Sequence, residues 1–248
     1  MITLKTAQEI ELLRGSCQIA RDTLLYLEDK IQAGMTTKDI DTLAYEFIKA
    51  QGAIPSCLGY HGYPASICTS VNHCIVHGIP SSKQILQNGD IISVDLVAYK
   101  NGFHGDAART FAVGQVTSQA QKLIQVTKES FFQAIDGLFI GSPLNNIGAK
   151  IQEYVEKNGF QVVREFVGHG IGREMHEDPA VPNFGKAGTG IRLQAGMVLC
   201  IEPMIVAGKR DVTILKDGWT AVTTDGSLAA HYENTIVITE QGVEVLSL

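Results

Sequence analysis

Leu86-Gln87-Asn88-Gly89-Asp90-Ile91-Ile92-Ser93-Val94-Asp95 returns 107 residues later as Leu193-Gln194-Ala195-Gly196-Met197-Val198-Leu199-Cys200-Ile201-Glu202. In both copies a glycine-containing turn feeds an apolar run that ends on a carboxylate. The same shift aligns an earlier segment without gaps. Gly34 falls on Gly141, Ile40 on Ile147, Glu46 on Glu153, Phe47 on Tyr154, Ile48 on Val155 and Gly52 on Gly159. Two separated segments sharing one shift point to an internal duplication. The chain, 1–248, is therefore expected to be a single domain of two α/β halves, about 1–114 and 115–248. Asp95 and Glu202 would then occupy matching positions, facing each other across a pseudo-two-fold axis.

Four segments carry helical periodicity. The first starts at Thr6, with Glu9 three residues on, a capping-box pattern. Its apolar face reads Ile10, Leu13, Cys17, Ala20, Leu24. The second covers about Thr37 to Ala50 and stops at Gly52. A third follows Ser118, with Gln121 completing a second capping box, and a fourth covers about Asn145 to Lys157 before Gly159. Glycine just past the last turn is a common helix stop. Strands are expected over Ile91 to Ala98, Ala108 to Val113, Met197 to Val206 and Thr235 to Glu240.

Asp95 sits inside the apolar run Ile91 to Val97, where an ionised carboxylate is costly unless paired or bound to metal. Asn101-Gly102 is a strong hairpin signal. A two-residue loop there sets Asp95 opposite Ala108 and puts Asp106 on the same face, on the diagonal, about 7–8 Å away. A bulge would flip that parity. Glu202 has a similar setting, with Pro203 favouring an extended backbone before it. Glu233 precedes another strand, Asn234 to Thr239. His169 lies between Gly168 and Gly170, which are expected to let the backbone turn sharply and bring the imidazole close to a ligand. Alone, a histidine is more often a hydrogen-bonded core or surface residue. Four strand-borne carboxylates change that weighting. Together they describe a hard, oxygen-rich site with one imidazole, suited to two divalent ions such as manganese, iron or cobalt rather than to a structural zinc site.

The formal net charge of −6 and the lack of a long Lys/Arg run argue against a non-specific nucleic-acid binder. With 45% hydrophobic and 19% charged residues the composition is globular, not disordered. Met1 to Glu11 holds no long apolar run, so no secretory signal and no membrane span are expected. Cys17, Cys57, Cys68, Cys74 and Cys200 are odd in number and contain no Cys-x-x-Cys pair. Reduced thiols in a cytoplasmic protein follow as the expectation.

At this point the chain resembles the type I methionine aminopeptidases of the short bacterial kind, over essentially its whole length. Six motifs carry the resemblance, in order: Ser-Val-Asn-His-Cys-Ile-Val-His-Gly-Ile-Pro at 70–80, Ser-Val-Asp-Leu at 93–96, Gly-Asp-Ala-Ala-Arg-Thr at 105–110, Gly-His-Gly-Ile-Gly at 168–172, Ile-Glu-Pro-Met at 201–204 and Tyr-Glu-Asn-Thr at 232–235. The resemblance implies an α+β pita-bread (creatinase/aminopeptidase) fold around a central dinuclear metal site. It implies that Asp95 chelates one metal, Asp106 and Glu233 bridge both, and His169 and Glu202 complete the other. A metal-bridging hydroxide would attack the peptide bond after an N-terminal methionine, with Glu202 as general base. His77 would contact the groups around the scissile amide, and His176 would stabilise the oxyanion.

By the same resemblance the methionine side chain would lie against Cys57, Tyr60, Tyr63, Cys68 and Trp219, the only tryptophan. A thioether suits aromatic and soft neighbours. Met175 stands just before His176, where some relatives carry phenylalanine. Asn72 and Cys74 match a family site for a monovalent cation. The implied partners are the N-termini of nascent polypeptides with a small second residue, and the implied state is a monomer.

Two other readings compete. A proline-cleaving relative would usually carry an extra N-terminal domain and more histidines near the metals. A non-catalytic binding protein of the same fold would normally have lost ligands, and here all five are present.

Overall fold

A computed structural model describes residues 2–248, leaving only Met1 outside. Helices α1 (Ala7–Glu28), α2 (Thr37–Ala50), α3 (Ser118–Ile135) and α4 (Asn145–Lys157) fall where periodicity predicts them. The first half holds strands β1 (Ile54–Pro55), β2 (Cys68–Val71), β3 (Cys74–Val76), β4 (Ile91–Lys100) and β5 (Phe103–Ala112). After the second helix pair come β6 (Gln161–Val162), β7 (Gly168–Gly170), β8 (Glu177–Val181), β9 (Val198–Ile201) and β10 (Met204–Val206). The chain closes with β11 (Val212–Ile214), β12 (Ala221–Thr223), β13 (Ala229–His231), β14 (Glu233–Thr239) and β15 (Gly242–Val245).

The main sheet runs β1-β4-β5-β14-β9-β7-β8, with β2 beside β4 and β15 beside β14. Two small sheets, β13-β10-β6 and β11-β12-β3, flank it. α1 and α2 cover a core holding Leu24, Ile40, Ile48, Ile92 and Val94. α3 and α4 cover a second core with Leu123, Phe131, Ile147, Leu199 and Ile236. Contacts recur at the shift read from sequence. The bridge Thr36–Ile85 has its counterpart in Pro143–Arg192, and Gly34 N–H to Leu86 O in Gly141 N–H to Leu193 O.

α1 begins as expected: Thr6 accepts from Glu9 N–H while the Glu9 carboxylate accepts from Thr6 N–H. It packs so tightly on β5 that a Cβ on Gly105 would lie 2.3 Å from Cys17 N. The cap of α3 is one residue earlier than expected. Thr117, extended at φ −66 and ψ 156, accepts from Ala120 N–H, and Ser118 is already helical. Two adjacent hydroxyls compete for that role, and the one with extended backbone takes it. The second capping box belongs instead to α2, between Thr36 and Asp39.

Two strands differ from expectation. The run Met197 to Val206 is not one strand but two, β9 and β10, which part at Glu202-Pro203 where Pro203 has no N–H to continue the ladder. β5 starts at Phe103 rather than Ala108, directly after Asn101 and Gly102, both at positive φ as a two-residue hairpin requires. The β4–β5 register is unbroken, so Asp95 lies opposite Ala108 and Asp106 opposite Val97, on the face Asp95 shares.

Candidate functional site

Five neighbouring strands of the main sheet each deliver one polar residue to the same place. In sheet order these are Asp95 on β4, Asp106 on β5, Glu233 at the head of β14, Glu202 just past β9 and His169 on β7. Strands lie about 4.8 Å apart, so in a flat sheet β7 and β5 would be separated by roughly 14 Å. His169 Nε2 is nevertheless 3.8 Å from Asp106 Oδ2 and 3.5 Å from Glu202 Oε1. The sheet is therefore strongly curled, and its concave face holds the cluster.

The glycines around His169 serve a different purpose from the sharp turn expected. Neither takes positive φ. A Cβ on Gly168 would meet Cys200 O at 2.3 Å, and one on Gly170 would meet Asp178 O at 2.2 Å. They let β7 lie closely between its neighbours. His169 Nδ1 sits 2.9 Å from Gly170 O, which leaves Nε2 facing the carboxylates.

Burial and like charge make this cluster costly by itself. Burial pushes Asp95 up to about 7. Asp106, Glu202 and Glu233 are pushed well above the carboxylate range by burial, then by one another's charge. Burial and the neighbouring His176 bring His169 down to about 4. Asp106 Oδ1 and Glu233 Oε1 are buried without a hydrogen-bond partner. Oxygen and imidazole donors on one ion sit about 2.0–2.2 Å from it, so two at right or tetrahedral angles are about 2.8–3.6 Å apart. The His169 separations are too long for hydrogen bonds and close to that spacing. Orphaned oxygens, a neutral imidazole and mutual repulsion are the conditions a divalent cation relieves. The residues fit such ions.

The cluster forms one end of a cavity of about 710 Å³, and every expected metal-ligand, catalytic and methionine-pocket residue lines it. At the other end Cys57, Tyr63, Cys68 and Met175 pack together with Val97 and Ala65, and Tyr60, Ile79 and Trp219 lie against them. Tyr63 and Trp219 meet edge-on at 5.1 Å between ring centres. Two histidines also line the cavity. His176 lies 4.3 Å from His169, centre to centre, and its Nδ1 is 2.7 Å from the Tyr60 hydroxyl. Burial, then His61, lowers the His176 pKa. His77, at positive φ, packs edge-on against Phe166, and burial brings it to about 4.

Asn72 and Cys74 lie away from this cavity. Asn72 bonds Asp90 and Ile91 N–H through its side chain, and its carbonyl accepts from Ala229 N–H. Three residues beside the site, Phe166 and His231 in its lining and Cys200 behind it, are not singled out by the sequence. Cys200 lies beneath the cluster, with its sulfur near Asp106, His169 and Glu233. Phe166 backs His77. His231 reaches Asp95 and Glu233. A period-two reading back from Glu233 would have put His231 on the same face. All five cysteines are free and buried. Among the described residues no helix is long and apolar enough to cross a membrane.

Residues 11–240 match the model of metallopeptidase family M24. A methionine aminopeptidase of Clostridium acetobutylicum is 55% identical over 248 residues, covering 100% of this chain and 99% of the relative. The crystal structure of methionine aminopeptidase from Rickettsia prowazekii superposes with a TM-score of 0.98 at 41% identity, covering 100% of both chains. A prolidase from Pyrococcus furiosus, at 22% identity and TM-score 0.78 over 99% of this chain and 65% of that one, shares the fold.

Proposed function

The chain belongs to metallopeptidase family M24, among the bacterial type I methionine aminopeptidases with their pita-bread fold, and on that premise we propose how its cleft works. It is a metalloaminopeptidase that removes N-terminal methionine. In our reading two divalent ions, manganese, iron or cobalt, are held by Asp95, Asp106, His169, Glu202 and Glu233. The observation that carries this is the delivery of one donor from each of five adjacent strands to one end of a cavity whose other end is sulfur and aromatic rings. When bound, such ions supply a nucleophile at neutral pH and a Lewis acid for the scissile carbonyl.

The chain's own groups do the rest. The methionine side chain fills the space between Cys57, Cys68, Tyr60, Tyr63, Met175 and Trp219. Glu202 takes the proton of the attacking water on a carboxylate oxygen and returns it to the leaving amine. Tyr60 Oη and His176 Nδ1 lie 2.7 Å apart; in the tautomer in which the hydroxyl donates, the ring proton sits on Nε2 and is available to the developing oxyanion. His77, kept neutral by burial, contacts the groups around the scissile amide. The substrates are N-termini of nascent polypeptides whose second residue is small, because the chain must leave through a narrow cleft. The repeated contacts at a shift of 107 support one catalytic domain with halves of about 1–114 and 115–248, which we take to be monomeric and cytoplasmic.

Metal analysis with a cleavage assay tests this reading. Metal-stripped protein should leave Met-Ala-Ser intact and recover on adding manganese, iron or cobalt. Met-Ala and Met-Gly peptides should be cut, and Met-Lys or Met-Ile peptides hardly at all. Full turnover by rigorously metal-free protein, or preference for an Xaa-Pro bond, would overturn it.

A further inference from the structure

His231 belongs to none of the motifs that carry the family resemblance, yet it sits at the metal cluster. Its backbone is fixed at both groups: Thr110 Oγ1 accepts from His231 N–H at 2.9 Å and donates to His231 O at 2.8 Å. On the other side β13 pairs with β10, His231 opposite Met204. His231 and Glu233 are two residues apart, so in extended chain they share a face. The imidazole is therefore directed into the cluster and is only 2% exposed. One ring nitrogen of His231, one oxygen of Asp95 and one of Glu233 lie within 4.8 Å of one another.

That ring nitrogen has no counterpart in the protein. His231 Nε2 is buried and unpartnered, as is Glu233 Oε1 beside it. Nε2 stands 3.6 Å from Glu233 Oε2, too far for a hydrogen bond. The spacing repeats what is seen across the cluster, where His169 Nε2 stands 3.5 Å from Glu202 Oε1. Both separations suit two donors on one ion, held about 2.8–3.6 Å apart. The cluster thus has an imidazole on each flank, His169 beside Asp106 and Glu202, and His231 beside Asp95 and Glu233.

We propose that His231 is a sixth protein ligand of this centre, binding the divalent ion held between Asp95 and Glu233. The inference rests on the reading that the cleft binds divalent metal. Without His231 the Asp95 flank offers oxygen alone, a set that suits magnesium or manganese. With an imidazole it turns towards iron, cobalt and the later first-row ions.

The test uses the full chain, stripped with chelator and refilled with cobalt. An imidazole bound to cobalt through one nitrogen carries an exchangeable, strongly shifted N–H on the other. The proton NMR spectrum of the fully loaded protein should contain two such resonances, from His169 and His231. In His231→Gln one should vanish, while the surviving His169 resonance reports that the site is still built. Calorimetric titration of that variant should show one of two cobalt-binding events weakened by at least about tenfold, the lower end of what losing even an outer partner of a metal ligand costs. Manganese binding at the same event should weaken less than cobalt binding. Asp95→Asn should weaken the same event and leave the other in place. A single shifted imidazole N–H in loaded wild-type protein, or a variant that titrates like wild type, overturns the assignment. A chain that takes up no cobalt and shows neither resonance overturns the metal reading of the cleft, and this inference with it.

Discussion

At the apolar end of the cleft Cys57, Tyr63, Cys68 and Met175 are each less than a tenth exposed, and they complete one another. The Tyr63 hydroxyl donates to Gly78 O at 3.0 Å, and the ring carbons face sulfur and tryptophan. At the polar end Asp106 and Glu233 are buried just as deeply, 4% and 2% exposed, yet each keeps an oxygen with no partner. One wall is a finished piece of core that leaves a hollow. The other is a set of groups that repel each other until something positive arrives. Burial alone does not separate a structural wall from a working one; satisfied and unsatisfied polarity does.

Breaking the polar wall should have the largest effect, with opposite signs for activity and stability. In metal-free protein Asp106→Asn removes a carboxyl group whose ionisation is opposed first by burial and then by the charges of Glu233 and Asp95. The variant should lose measurable turnover even with metal present. Its metal-free form should melt higher than metal-free wild type, since each 1 kcal/mol of relieved repulsion is worth about 2–4 °C in a chain of this size. With saturating cobalt the order should reverse, because only wild type then gains the full binding energy. Calorimetric melts with and without metal measure both. A variant that melts lower than wild type in the metal-free state would mean the cluster is not under repulsive strain.

The next effects lie between the two walls. His176→Ala should lower kcat by roughly 100-fold, the usual cost of one oxyanion donor, with a smaller change in KM. Unchanged kcat would remove His176 from the reaction. Tyr60 was expected only to line the methionine pocket, but its hydroxyl on His176 Nδ1 gives it a second task. Tyr60→Phe keeps the ring in the pocket and loses that bond. It should lower kcat by about tenfold, the small end for an orienting partner, while KM for Met-Ala-Ser stays close to wild type. A rise in KM with kcat unchanged would return Tyr60 to a lining role alone.

Much of this was legible because the decisive features are local. Gly52 and Gly159 both take positive φ where α2 and α4 stop, so the spacing between the repeats survives in sequence. The Asn101-Gly102 turn fixed the β4 register, and with it the face shared by Asp95 and Asp106. What sequence hid was decided by tertiary pairing. The short strands β10 and β13 carry little periodicity of their own; counting by twos back from Glu233 gives His231 its face, and the pairing of Met204 with His231 holds it at the cleft. Cys200 reads as one more apolar residue of a buried strand; only the curl of the sheet puts its sulfur under three ligand candidates. The α3 cap was misplaced because Thr117 and Ser118 offer the same chemistry, and the choice between them is made by φ and ψ.

The smallest effects should come from the finished wall, and their form is the sharpest check on the contrast. Cys57 and Cys68 adjoin Tyr63 and Met175, and Cys68 lies opposite Asp95 across the β2–β4 ladder. The thiols thus stand where the two walls meet. If they touch only the methionine side chain, they act equally in ground and transition states, so replacing them should raise KM and leave kcat alone. A sulfur contact to a ring or soft neighbour is worth about 0.3–1.5 kcal/mol, which sets the expected rise for Cys57→Ser or Cys68→Ser at about two- to tenfold. Metal content should not change. Labelling gives an independent reading. Both thiols are buried, and the Cys57 contact together with burial holds Cys68 well above its usual pKa, so alkylation of Cys68 should be slow at neutral pH and quicken as pH rises. Activity should fall in step with labelling, and free methionine should slow both. Peptide mapping that finds Cys57 and Cys68 fully alkylated in protein still cleaving Met-Ala-Ser at the wild-type rate would put the methionine side chain elsewhere. A drop in kcat with metal loss in either serine variant would mean that the apolar wall also holds the polar one in place.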